Sequence, residues 1–265
     1  MYDTHVHSTF SRDGESTMEE YAALFDSGGF KGVGFAEHVD FLPECGSYGF
    51  LNPDRYILEI KSFRDRGYEF YAGGEIDYAG SVSGDISDHL KRFKYDFTVC
   101  SVHMIDGISI SDKIRIPSIK DREILAGVIA RYYTVLNNAV GTAGFDVLGH
   151  LGVYKRYLDE VFKNDRWLRS ISEEGEFETA QLCARSDMIV EVNTSGLFSP
   201  LAETLPGMTF MKLYRSMGGR NVCVGSDAHN VRNVGKGIKA ACDMLKGAGF
   251  DFVTLPWDRE RPVMI

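Results

Sequence analysis

The chain has 265 residues, 44% of them hydrophobic, and a net charge of -9. One large α/β domain spanning residues 1–265 fits this length, because α/β barrels run to about 200–250 residues; the acidic balance argues against a broad basic face for long nucleic acid or anionic lipid. No apolar run approaches the roughly 20 residues a membrane helix needs, and no basic segment followed by an apolar stretch opens the chain, so a cytoplasmic protein with no membrane contact is expected.

Along the chain, short apolar and β-branched runs predict strands at 1–7, 32–38, 68–78, 95–103, 145–150, 188–193 and 221–227, with an eighth at 250–255. Amphipathic stretches at 17–29, 121–139, 174–186 and 234–250 predict helices between them. The first opens on Ser16 or Thr17 as cap, carries acidic residues in its first turn, and stops at Gly28 and Gly29. Alternating strands and helices imply a parallel α/β fold, either a barrel or an open doubly wound sheet. Segments 39–56, 104–120 and 194–207 follow strand ends and read as the long loops in which such folds place active sites. Cys45, Cys100, Cys183, Cys223 and Cys242 are odd in number, widely spaced and without a CxxC pair, which favours free thiols over a disulfide framework.

The histidines carry the chemistry. His5 and His7 are two apart in the first strand and project to the same side, so both can reach one metal ion. His38, His103, His150 and His229 also stand at strand ends, as do Glu75 and Asp227. Only His89, in the helix-like "SDHLKRF", falls outside this pattern and reads as a surface histidine. In a barrel the carboxyl ends of the strands meet on one rim, so these eight residues converge. Eight ligands, with Asp13 of the "SRDG" turn as a ninth, exceed the roughly four that one zinc takes; two or three ions about 3.5–4 Å apart are implied. Imidazole and carboxylate without thiolate suit zinc, manganese or iron. Paired metals bring bound water toward ionisation at neutral pH, which makes it a nucleophile.

The ordered set "HVHS…D", "EH", "GGE", "SVH", "GH" and "SDAH" resembles the polymerase and histidinol phosphatase (PHP) family of metal-dependent phosphoesterases. The resemblance implies a distorted (β/α)7 TIM-like barrel with its metal site at the C-terminal strand ends. It would place His5, His7, Glu75 and Asp227 on one ion, Glu75, His103 and His150 on a second, and Asp13, His38 and His229 on a third. "GHLGVYKRY" at 149–157 and "EVNTSGL" at 191–197 resemble the histidinol-phosphatase branch, which implies hydrolysis of a small alcohol phosphate such as L-histidinol phosphate. Another small phosphate, a nucleotide or an oligonucleotide end is the alternative, and a metal-binding scaffold without catalysis is a third reading.

On this reading Arg156 is the phosphate clamp, with Lys155 and Asn193 as further substrate-binding candidates. Asp227, His229 and Glu37 are candidate acids for the leaving alcohol, and Asp3 and Glu191 could orient imidazoles. The basic pair the branch carries after "TSGL" is replaced by Phe198, Ser199 and Pro200, which leaves Arg12, Lys113 and Arg115 as loop cations that could compensate. Tyr48, Phe50 and Tyr56 could stack on a substrate ring or pack against the barrel rim. The oligomeric state is not legible.

Overall fold

The computed structural model describes residues 1–142, 144–158 and 160–265. Seven parallel strands follow one another in chain order: β1 (Tyr2–Val6), β2 (Gly32–Val39), β3 (Phe70–Asp77), β4 (Phe97–Ser101), β5 (Val147–Leu148), β6 (Ile189–Asn193) and β7 (Val222–Gly225). The barrel closes loosely. An isolated bridge joins Val6, the last residue of β1, to Ala228 beyond β7, and the Thr4 hydroxyl donates to the Val224 carbonyl at 3.1 Å. Helices α1 (Met18–Asp26), α2 (Pro53–Asp65), α3 (Ser83–Arg92), α4 (Arg122–Thr142), α5 (Arg166–Arg185), α6 (Met208–Ser216) and α7 (Ile238–Gly247) lie between and after them. The sheet is thus a distorted (β/α)7 barrel, as the family resemblance implied, and not the open doubly wound sheet that the strand–helix pattern also allowed.

Local chemistry explains the placement of α1. Thr17 accepts from the Glu20 amide while the Glu20 carboxylate accepts from the Thr17 amide, a complete capping box. The helix then buries Tyr21 against Phe35 of β2, and the Tyr21 hydroxyl donates to the His7 carbonyl at 2.6 Å, tying the helix to the end of β1. Each fully buried aromatic of this kind contributes roughly 1.5–3 kcal/mol by burial.

Two predicted elements turn out differently. The strand at 250–255 forms as β8 (Phe252–Leu255), but it pairs antiparallel with β9 (Asp258–Met264) outside the barrel sheet. Their turn carries Trp257, which stacks on Tyr71 at 4.3 Å and meets Phe97 at 5.6 Å, closing the end of the barrel opposite the histidines. The stretch 53–56, assigned to a loop, instead opens α2, with Asn52 as cap and Pro53 in its first turn. Tyr56 is therefore a core residue: it is 0% exposed, and its hydroxyl lies 2.7 Å from the Phe35 carbonyl and 3.0 Å from the Gly73 carbonyl. Tyr48 and Phe50 remain exposed.

The cysteines are free, four of them buried. Among the described residues no helix is long and apolar enough to cross a membrane.

Candidate metal centre

Alternation along each strand decides what enters the lumen. On β3, Tyr71, Gly73, Glu75 and Asp77 share one face, so the same strand presents an aromatic at the closed end and carboxylates at the open one. His5 and His7 arrive from β1, His38 from β2, His103 from just after β4, His150 from after β5, and Asp227 and His229 from after β7.

Glu75 is the hub. Its Oε1 lies 2.6 Å from His150 Nε2, 3.6 Å from His103 Nε2 and 3.8 Å from His5 Nε2. Its Oε2 lies 2.8 Å from His38 Nδ1 and 3.7 Å from His7 Nε2. Around this carboxylate the ring nitrogens face one another: His5 Nε2 and His7 Nε2 are 3.2 Å apart, and His103 Nε2 and His150 Nε2 are 3.3 Å apart. Asp227 Oδ1 approaches His7 at 3.4 Å, while Asp13 meets His38 at 3.5 Å and His229 at 3.2 Å. All nine residues expected as ligands are therefore assembled at one rim.

The donor set fits divalent ions. His5, His7 and Glu75 offer ligand atoms close enough to share an ion, as do His7, His38 and His229, and His38, Glu75 and His103. Burial, then the neighbouring imidazoles of His229 and His38, push His7 down to about 3. Burial likewise takes His103 to about 3, so both rings are neutral, the form that binds metal. Burial opposes ionisation of Asp227, but His7, Arg156 and further imidazoles outweigh it and hold this carboxyl well below the usual range.

A layer behind the candidate ligands fixes their orientation. Glu191 Oε1 lies 2.7 Å from His5 Nδ1, and its Oε2 accepts from the His150 amide at 2.8 Å. A carboxylate can only accept, so His5 carries a hydrogen on Nδ1 and turns Nε2 toward the cluster. Gly225 makes room for this contact, because a Cβ there would lie 2.4 Å from both Glu191 Oε1 and His5 Cβ. The His229 Nδ1 lies 3.0 Å from the Asp227 carbonyl, and Asp227 takes a left-handed backbone, φ 58°, rare for a residue with a side chain. Asp3 touches no imidazole; it accepts from the Ser226 and Gly235 amides and from the Ser226 hydroxyl, securing the β7 end.

Arg156 enters from a short turn of 3-10 helix, Val153–Tyr157, and its NH2 donates to Asp227 at 3.0 Å and to Ser195 at 2.6 Å. Its Nε is buried and has no partner among the described residues. Lys155, one residue earlier, points away: it pairs with Glu176 and lines a separate cavity of about 380 Å³. Asn193 is fully buried and does not line the metal cavity; it accepts from the Ser195 hydroxyl at 2.5 Å and donates to Glu191. Glu37 does not line the cavity either, since both its oxygens are taken by Ser8 and Ser11. His89 is no surface histidine but is half-buried, packed on Phe41 and Tyr95 and bonded to the Tyr95 hydroxyl at 2.9 Å.

The cavity over the cluster measures about 660 Å³. Asp40, Glu44 and Asp77 line it on the β2–β3 side, Arg156 and Asp227 on the β5–β7 side, and Arg115 enters from the loop after β4. Arg12 reaches the Gly46 carbonyl instead, and Lys113 does not line the cavity. Burial and the nearby Asp40 carboxylate raise Asp77 to about 7.

A family model for the PHP domain matches residues 3–195. The chain belongs to the PHP family. Over 254 residues it is 25% identical to the histidinol-phosphatase of Lactococcus lactis, covering 94% of this chain and 91% of the relative. Over 256 residues it is 24% identical to a protein of Thermotoga maritima named "Probable histidinol-phosphatase", covering 96% and 95%. The crystal structure of the Lactococcus lactis histidinol phosphate phosphatase, solved with zinc, L-histidinol and phosphate, has the same fold, with a TM-score of 0.84 and 22% identity over 98% of each chain.

Proposed function

We propose that this PHP protein is a metal-dependent phosphomonoesterase that hydrolyses L-histidinol phosphate to L-histidinol and phosphate. The observation that carries the reading is the two-ended cavity. Arg156 lines the β5–β7 side of the candidate ligand cluster, and Asp40, Glu44 and Asp77, none of them among the nine, line the β2–β3 side. A phosphate monoester that also bears an ammonium group matches both ends. The histidinol-phosphatase names of the relatives, matched along almost their whole length, support the same substrate.

Two or three divalent ions, zinc, manganese or iron, held by His5, His7, Asp13, His38, Glu75, His103, His150, Asp227 and His229, would supply Lewis acidity and lower the pKa of bound water. Arg156 binds and orients the phosphate: one terminal nitrogen is committed to Asp227 and Ser195, and the guanidinium lines the cavity. Asp227 and His229 line the cavity and are placed to move the proton of the departing alcohol. Arg115 is the cation placed to stand in for the missing basic pair, because it alone among the three loop candidates lines the cavity.

The test is phosphate release from L-histidinol phosphate by metal-reconstituted protein, set against sugar phosphates and nucleotides, with Asp227→Asn as control. A preference of a hundredfold or more in kcat/KM, about 2.7 kcal/mol of transition-state discrimination, is the expected result. A comparable preference for a nucleotide or a sugar phosphate would overturn the substrate while leaving the metal centre intact.

A further inference from the structure

Behind His7 lies a chain of hydroxyls ending in a carboxylate that the hydrolytic reading does not use. The Ser11 hydroxyl oxygen is 3.1 Å from His7 Nδ1, 2.5 Å from Glu37 Oε2, and accepts from the His38 amide at 3.0 Å. Glu37 is held on its other side by the Ser8 amide at 3.0 Å and the Ser8 hydroxyl at 2.5 Å. Glu37, Ser8, Ser11 and His7 are all buried, with exposures of 0%, 0%, 1% and 0%, so water does not compete for these bonds.

A serine hydroxyl has one hydrogen and two acceptor positions. The His38 amide, which can only donate, takes one of those positions. One hydrogen and one lone pair are left for two neighbours, so Glu37 and His7 cannot both receive the hydrogen. When the hydrogen goes to the Glu37 carboxylate, His7 must donate from Nδ1, and its Nε2 faces Glu75 and Asp227 with a bare lone pair. When the hydrogen goes to His7, Nε2 carries the proton and cannot bind a metal ion.

We infer that Glu37 is a positioning residue that acts through Ser11 to set the tautomer of His7 and thereby the metal affinity of the His5–His7–Glu75 site. The metal consequence rests on the proposal that these residues hold an ion; the tautomer itself does not. Glu191 sets His5 by direct contact, whereas His7 is set at one remove, through a hydroxyl that can point either way.

Glu37→Gln reverses the chain. The Ser8 amide can only donate, so the glutamine carbonyl turns to Ser8 and its NH2 turns to Ser11. Ser11 then accepts twice and must give its hydrogen to His7 Nδ1. Nitrogen-15 NMR of the imidazoles in the full-length metal-free protein reads this directly: Nδ1–H at His7 in the parent chain and Nε2–H in Glu37→Gln. With zinc(II), titrated against a competing chelator, Glu37→Gln should lose about 10- to 100-fold in affinity for one ion and keep the others.

The double variant Ser11→Ala with Glu37→Gln separates proton direction from simple damage. With the hydroxyl gone the wrong tautomer is no longer enforced, so the double variant should bind zinc more tightly than Glu37→Gln alone. An unchanged His7 tautomer in Glu37→Gln, or a double variant that binds no better than the single one, would overturn the inference. If the parent chain binds no zinc at all, the metal reading fails, and the NMR result still decides the tautomer.

Discussion

The two halves of the barrel lumen are built from the same strands and have opposite chemistry. Toward the closed end Ala36, Phe97, Val99, Val147, Ile189 and Cys223 pack with Tyr71 and Trp257. Toward the open end, two or four residues further along, come His38, Glu75, His103, Glu191 and Asp227. The register makes the division sharp: His38 pairs with Glu75, and Glu75 pairs with Val99, so ligand and core side chains are adjacent across one strand boundary. The apolar half gives the polar half a rigid floor.

If the division is real, substitutions in the two halves should fail in different ways. The largest effect belongs to Glu75→Ala, which removes the carboxylate that five imidazoles share. The expected outcome is loss of bound metal and a fall in kcat/KM of about a thousandfold, roughly 4 kcal/mol. Metal analysis beside phosphate release checks it, and a Glu75→Ala protein with its full metal content would break the comparison.

In the lower half, Phe97→Ala should cost about 3–5 kcal/mol of stability, through lost burial and a cavity that the surrounding strands cannot close. The ring fills the space that Gly34 and Gly73 leave, where a Cβ would lie 2.7 and 2.3 Å from its atoms. Denaturant unfolding should show the loss, while metal content and kcat/KM under folding conditions stay within about twofold. A matching loss of metal would mean that the floor and the site are one cooperative unit.

Arg156→Ala should lower kcat/KM by about a hundredfold without changing metal content, the scale seen when a preorganised donor to a developing charge is removed. Arg156→Lys should recover only part, because an ammonium keeps the charge and loses the fork.

How much of this the sequence carried follows the same division. The convergence of the nine candidate ligands was legible because strand alternation and the shared rim of a parallel barrel are properties of the fold class. Guanidinium chemistry favours Arg156 over Lys155 as the clamp, but nothing in "GVYKRY" says that Lys155 turns away to Glu176, since adjacent residues in a turn of 3-10 helix point to different sides. α2 was missed beyond Tyr56 because "PDRYILEIKSFRD" is half charged, and its buried stripe is only Tyr56, Ile60 and Phe63. Trp257 was passed over because a lone tryptophan in a C-terminal hairpin has no periodicity. Ser11 and Ser195 were also unreadable: a serine in a loop becomes meaningful only when the loop's path brings its hydroxyl to a ligand.

Ser195 gives the smallest and sharpest of these tests. Its hydroxyl accepts from Arg156 NH2, lies 2.5 Å from Asn193 Oδ1, and is 3.2 Å from Asp227 Oδ2. It therefore stands between the proposed phosphate clamp and a candidate ligand carboxylate and touches the cluster only through them. Ser195→Ala leaves Arg156 with Asp227 as its remaining anchor, and the loss of one hydrogen bond to a charged group, about 1.5 kcal/mol, should lower kcat/KM about tenfold. Because the hydroxyl works by holding Arg156, its removal from an Arg156→Ala background should cost almost nothing, so the two losses will not add. Full additivity in that double-mutant cycle would mean that Ser195 reaches the phosphate or Asp227 on its own account.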